Sequence, residues 1–512
     1  MARVRGSALI VSAEEAIALI ADGATVGVSG FVGAGHPEHL TAALEERFLA
    51  TGFPQNLTLL YAAGQGDRND RGLNHLAYPG LLKRVVGGHW NLAPKLGQMA
   101  LDGVIEAYNL PQGVVCVLLR EIAAHRPGVI TKVGLGTFMD PRFGGGRLNP
   151  RTIEPIIELV KLDGEEWLRY KSFPIHVALI RATAADARGN LTMEDEGVIG
   201  EVLPMAQAAR NSGGLVIAQV QRLVKSISDP KAVRVPGILV DYVCVAPAEH
   251  HMQTFSEQYT SAFVQCADET VPLRPLEFSE RKIIGRRALH EINTGDIVNL
   301  GIGLPETVAA VAEEQGQLKN FTLTVEAGPI GGVPASGLSF GCSHYPEAII
   351  DQPSQFDFYD GGGIDIAVLG AVEIDEEGSV NVSCFAGRFA GVGGFMNISH
   401  SARRLVFCCT FTAGGLQIES EGGSLRIRQE GKHSKFVKKV AQVSFHGPTA
   451  LDRGQQVLYV TERAVFALTE SGLRLIELAD GIDLDSQVLR LMQFSPEIKD
   501  YQKYNAECFR NS

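Results

Sequence analysis

Residues 57–64 read LTLLYAAG, and residues 321–328 read FTLTVEAG. Each is an apolar run closing on Ala-Gly, as a buried strand does where it enters a turn. The resemblance extends outward from this pair. Upstream of the first, the apolar run 24–28 leads into Gly30-Phe-Val-Gly33-Ala-Gly35 and then Pro37-Glu38. Upstream of the second, Ile297–Leu300 leads into Gly301-Ile302-Gly303 and then Pro305-Glu306. In both copies the run predicts a strand, the glycines a loop, and the proline the first turn of a helix, where a missing N–H had no intrahelical partner. A helix is predicted ahead of each strand as well. Ser12-x-x-Glu15 forms a capping box with Gly23 as the stop, and 281–292 is closed by Gly295. Downstream, IHVALIRATAADARGNL at 175–191 aligns without a gap with IDIAVLGAVEIDEEGSV at 364–380, and GGLVIA at 213–218 echoes RRLVFC at 403–408. Four echoes in one order predict a duplicated domain.

Strands alternating with helices predict an α/β fold with parallel sheets covered on both faces. The expected organisation is two open parallel-sheet domains, 1–245 and 280–512, joined by a polar connection at 246–279. Within that connection, 250–262 is expected to be exposed. The halves are not identical. The first carries a long insertion, 65–174, between its matched strands, and the second extends its C-terminus.

Bulk composition narrows the function. At 512 residues, 45% hydrophobic and 20% charged, the chain reads as globular and multidomain. A net charge of -12 without a basic run speaks against nucleic acid as a partner. The N-terminal apolar segment is too short for a signal peptide and no stretch is long enough to span a bilayer, so a soluble cytoplasmic protein with no membrane partner is expected. Eight cysteines without CxxC spacing suggest buried thiols in a reducing compartment. His36-Pro-Glu-His39 and His250-His251 lack a third ligand, so no metal is expected, and surface or helix-start histidines are the better account. The glycine spacing of 27–35 fails the dinucleotide pattern GxGxxG, and no Gly-x-Ser-x-Gly is present for a serine hydrolase.

The aligned strands break their symmetry at one place, where Ala62 in the first copy stands opposite Glu326 in the second. A glutamate ending an apolar strand and followed by Ala-Gly-Pro-Ile-Gly-Gly sits where parallel sheets bind ligands, at the carboxyl ends of strands. The run TVEAGPIGG, with NLGIGLPE before it and SCFAGRFAGVGGFMNIS (383–399) after it, resembles the family I CoA-transferases over nearly the whole chain. Among these, the single-chain acetate, propionate and 3-oxoacid enzymes are the most similar. The resemblance implies the fold that these enzymes share with a sugar-phosphate isomerase, with the active site in the interdomain cleft. It also implies reversible transfer of coenzyme A between a short acyl-CoA and a free carboxylic acid. Glu326, filling the ExGxxG motif with Gly328 and Gly331, is the implied covalent carrier. Gly394, last of the Gly391-Val-Gly-Gly394 turn, and Gln112, in Asn109-Leu-Pro-Gln112-Gly113, are the implied donors to the reacting carbonyl oxygen.

CoA is then substrate and covalent intermediate, with no permanently bound cofactor, and a homodimer or homotetramer is expected. CoA contacts are placed on Gly301, Ile302, Gly303 and Gly391, the loop 30–35 being a second plausible anion site at a helix N-terminus. Two other readings use the same scaffold: an acyl-CoA hydrolase with water as acceptor, and a ligand-binding or isomerase relative.

Overall fold

The computed structural model of the chain describes residues 8–267 and 275–510. Seven of the nine strands of the first sheet are β1 (Thr25–Val28), β2 (Leu57–Tyr61), β3 (Leu82–Gly87), β4 (Glu106–Asn109), β5 (Val177–Asp186), β6 (Leu215–Val224) and β7 (Tyr242–Val245). They lie in the order β7-β6-β5-β1-β2-β3-β4, with the short strand Leu9–Ile10 outside β7. The second sheet holds β8 (Ile297–Leu300), β9 (Thr322–Thr324), β10 (Ile366–Gly370), β11 (Arg404–Cys408) and β12 (Gln456–Val460). Its central order is β9-β8-β10-β11-β12, extended past β12 by β13 (Ala464–Thr469), β14 (Gly472–Leu478) and β15 (Glu497–Lys503). The shared unit is therefore five parallel strands in the order 2-1-3-4-5, a doubly wound arrangement whose ligand crevice opens at the carboxyl ends of the strands.

The ladders reproduce the duplication residue by residue. Thr25 stands beside Thr58 and Val26 beside Val177, as Ile297 stands beside Thr322 and Val298 beside Ile366. One echo is displaced. Leu215 pairs with Val177, whereas Arg404 rather than Leu405 pairs with Ile366, so 213–218 matches the second copy one residue earlier than the letters suggest. Both faces of a central parallel strand are buried, so its apolar run fits either register and the pattern alone cannot choose.

The insertion of the first half forms the contact with the second. Helix α1 (Gln112–Ala123) begins at the cleft, and Gln112 N donates to Gly393 O at 2.9 Å. Gly393 N donates to Gly88 O at 2.8 Å, Trp90 N to Ala390 O at 2.8 Å, and Val392 N to Asn109 Oδ1 at 3.0 Å. Farther along α1, Arg120 reaches helix α2 (Gln352–Phe358), donating to Ser354 Oγ at 3.0 Å and pairing with Asp351 at 3.1 Å.

The connection departs from expectation. Of 250–262, only 256–259 and Ser261 are exposed, while residues 253–255 are buried. Phe255 packs on Gly33, Met252 O accepts from Arg181 Nη1 at 2.7 Å, and Ala262 O accepts from Tyr345 N at 2.6 Å. Thr254 Oγ1 lies 2.8 Å from Ser339 Oγ of the second half. The segment is polar because its side chains bond to both halves, Gln253 Nε2 to Asp195 O at 2.8 Å among them, and not because it meets water. The stretch 268–274 of the predicted connection lies outside the described residues.

Candidate active site

Glu326 lies two residues beyond β9, as Ala62 lies just beyond β2. The chain folds back at once: Gly328 N donates to Val325 O and Val325 N to Pro329 O, both at 3.0 Å. Only glycine fits at 328, where φ is +128° and a Cβ would stand 2.1 Å from Ile350 O. This hairpin holds the Glu326 side chain at the carboxyl end of the sheet, buried at 9% exposure. Burial raises its carboxyl to about 7, while its own backbone N–H and the Asn299 amide act in the opposite sense without cancelling that effect. Around it, Asn299 Nδ2 donates to Thr324 O at 3.2 Å, and Tyr359 OH donates to Thr324 Oγ1 at 2.8 Å.

The structure brings the three candidate catalytic residues together. A Cβ on Gly394 would lie 3.3 Å from Glu326 Cγ and 3.3 Å from Phe356 Cζ, so the Gly394 backbone lies against the Glu326 side chain. Gly394 precedes the helix Phe395–Ser401, and its N–H has no hydrogen-bond partner among the described residues. Gln112 arrives from the other half. A Cβ on Gly393 would lie 3.6 Å from Gln112 Oε1, and the buried Gln112 Nε2 also lacks a partner. A buried amide nitrogen left unpaired costs about 1–3 kcal/mol, so the free Gln112 Nε2 is an arrangement the fold maintains at a cost. Such donors are what a developing oxyanion requires.

The proposed CoA contacts separate into two groups. Gly301-Ile302-Gly303 follows β8, and Gly301 N donates to Val368 O at 2.8 Å. Since Asn299 pairs with Thr324, Gly301 is level with Glu326 along the neighbouring strand direction. Gly303 lines a cavity of about 240 Å³ with Leu300, Thr307, Val333, Phe340 and Arg281, while Ile302 stands 56% exposed. The helix expected from Pro305-Glu306 starts at Thr307. Gly391 is placed elsewhere, in the docking ladder: its φ is +80°, and a Cβ there would lie 2.9 Å from Gly88 O and from His89 Cα. The first-half loop 30–35 is closed, because Phe255 stands 2.5 Å from where a Cβ on Gly33 would be.

Sequence reasoning missed Asn299, Tyr359, Phe356 and His89. Asn299 alone left a signal, as the one polar residue within the apolar strand Ile297–Leu300. The histidines are not surface groups throughout. His36 is fully buried between Gln65 Oε1 at 2.6 Å and Thr41 Oγ1 at 2.9 Å, and His251 is buried 3.3 Å from Glu196. Among the described residues, no cluster of three or more His, Cys, Asp or Glu could hold a metal ion, and no helix is long and apolar enough to cross a membrane.

The profile of the family described as Coenzyme A transferase matches residues 10–246. The chain is 46% identical over 501 residues to the caffeate CoA-transferase of Acetobacterium woodii, covering 96% of this chain and 95% of that one. It is 43% identical over 502 residues to the acetate CoA-transferase YdiF of Escherichia coli strain K12, covering 97% and 94%. Among solved structures, the acyl-CoA transferase YdiF of E. coli O157:H7 in a thioester complex with CoA superimposes with a TM-score of 0.93 at 42% identity, covering 100% of this chain and 98% of that one. Full-length identity of this order leads to one assignment: the chain belongs to the coenzyme A transferase family and is a CoA-transferase.

Proposed function

We propose that the enzyme transfers CoA reversibly between a short-chain acyl-CoA and a free carboxylic acid, in a ping-pong exchange through a glutamyl-CoA thioester at Glu326. The observation that carries this reading is the buried Glu326 carboxylate against Gly394, with the unpaired Gln112 amide delivered from the other half. A Glu326 oxygen attacks the thioester carbonyl carbon. A C–O bond forms, the C–S bond breaks, and CoA leaves as thiolate. The thiolate then attacks the Glu326 carbonyl carbon of the mixed anhydride, forming a C–S bond and releasing the first acid as carboxylate. A second acid runs these steps in reverse. No general base is needed, because the nucleophile is itself an anion once ionised. Each addition places negative charge on a carbonyl oxygen, which the Gly394 and Gln112 N–H groups would receive.

The arm of CoA is proposed to lie along the cavity beside Gly301-Ile302-Gly303, with the Arg281 guanidinium at its edge. Acetate, propionate, butyrate and acetoacetate are the proposed acids. Their ranking awaits a rate panel, because one methylene in a pocket is worth only about 1–3 kcal/mol. The test is incubation with acetyl-CoA and no acceptor, followed by peptide mass analysis. The peptide holding Glu326 should gain the mass of CoA, and borohydride should inactivate the enzyme only after that incubation. Transfer activity retained by Glu326→Ala would sink the covalent mechanism.

A further inference from the structure

The docking ladder carries a side chain that the chemistry above leaves unused. His89 lies between Gly88 and Trp90, whose backbones are tied to the second half, and its own backbone bridges to Gly391. Its ring is packed among glycines. A Cβ on Gly64 would fall 2.6 Å from the ring Nδ1, and one on Gly393 would fall 3.9 Å from Cδ2. Gly64 ends the first-half counterpart of the Glu326 strand, and Gly393 adjoins both Gly394 and the Gln112 amide. His89 therefore borders the Gly393-Gly394 turn from the first half, while Glu326 meets the same turn at Gly394.

Two properties suit the ring to bind substrate. Its nitrogens hydrogen-bond to no described residue, and the residue remains partly exposed. Burial, with the Arg68 charge nearby, keeps the imidazole neutral at ordinary pH by lowering its pKa. A neutral imidazole always retains one N–H donor, and it does not form a fixed ion pair with Glu326 that would blunt the nucleophile.

We propose that His89 is a substrate-binding residue, donating a ring N–H to the carboxylate of the acid substrate, on the oxygen that does not attack. The same bond would meet the acyl carbonyl oxygen when the acid is presented as its thioester. No proton is transferred, so the role is orientation and affinity. This inference rests on the glutamyl-CoA reading above.

The experiment starts from wild-type, His89→Ala and His89→Gln enzymes loaded with CoA at Glu326 by acetyl-CoA and freed of small molecules. Propionate is titrated against each, and the rate of propionyl-CoA release is followed. A lost hydrogen bond to a charged group should weaken the apparent propionate affinity of His89→Ala by about 10- to 100-fold. His89→Gln, which restores an N–H, should recover part of that loss. The affinity for free CoA and the melting temperature should stay at wild-type values, since the ladder at 88–91 is held by backbone atoms. A propionate affinity within twofold of wild type in His89→Ala overturns the proposal. So does a CoA affinity that falls in parallel with it. Failure of the wild-type enzyme to load CoA at all would instead count against the covalent mechanism.

Discussion

Gly394→Ala separates catalysis from folding more cleanly than any deletion in the site. The backbone there has φ -78° and ψ -12°, ordinary for alanine, so the substitution brings no conformational strain. The added methyl would stand 3.3 Å from Glu326 Cγ, 3.3 Å from Phe356 Cζ and 3.4 Å from Ile398 Cδ1. Relaxed carbon contacts lie at about 3.5–4.0 Å, so the neighbours must yield by a few tenths of an ångström. That overpacking is worth about 1 kcal/mol, or a fall of roughly 2–4 °C in melting temperature. The chemical cost is larger, since the methyl both displaces the nucleophile and crowds the N–H awaiting the oxyanion. A displacement of about 1 Å costs on the order of 100-fold, so a third of that, together with a hindered donor, should lower kcat by roughly 10- to 100-fold. The assay is steady-state transfer from acetyl-CoA to propionate, with calorimetric melting on the same preparation. Gly391→Ala is the control, because its φ of +80° and a Cβ 2.9 Å from Gly88 O should destabilise the docked halves outright. Unchanged kcat in Gly394→Ala, with the fold intact, would refute the placement of Gly394 against the reacting centre.

Two further outcomes follow from the same geometry. Gln112→Ala removes an amide whose Nε2 has no partner among the described residues while leaving the backbone bond to Gly393, so turnover should fall about 100- to 1,000-fold with little change in KM; normal turnover would remove Gln112 from the site. Among the carboxyls that burial lifts, Glu326 rises to about 7 and the fully buried Glu201 to about 8, so both hold protons in the folded chain where the unfolded chain, near 4.5, has lost them. The rate of glutamyl-CoA formation should therefore climb as pH rises through about 7 and level off above it, and a flat profile would contradict the buried nucleophile. By the same sign, Glu201 withdraws stability as pH rises from about 4.5 through 8, so Glu201→Gln should melt above wild type at pH 8.5 and match it near pH 4, as read by melting curves across pH.

Much of this was legible before any coordinates. The order strand, glycine loop, proline-started helix and second strand is local information, encoded in residues adjacent in the chain. Its repetition gave the doubly wound duplicate, and the break in that repetition, Glu326 against Ala62, pointed to the proposed nucleophile. Gly328 was legible for the same reason, as a turn that the residues on either side of it impose. Where the pattern was locally degenerate it failed: an apolar central strand accepts either register, so the match of 215 with 404 required the ladder. Polarity misled at 251–255, because hydrogen bonds to both halves substitute for water.

The tertiary structure decided what depends on docking two separately formed sheets. Gln112 and Gly393 are 281 positions apart, and only the packing of the insertion onto the second half closes the 2.9 Å bond that seats the amide beside Gly394. The same packing sets His89 against Gly393 and commits Gly391 to the ladder, although in sequence both glycines look like turn residues alone. Local composition fixes a residue's own conformation, whereas its neighbours across a cleft are set by the shape of whole surfaces, which no short stretch of sequence encodes.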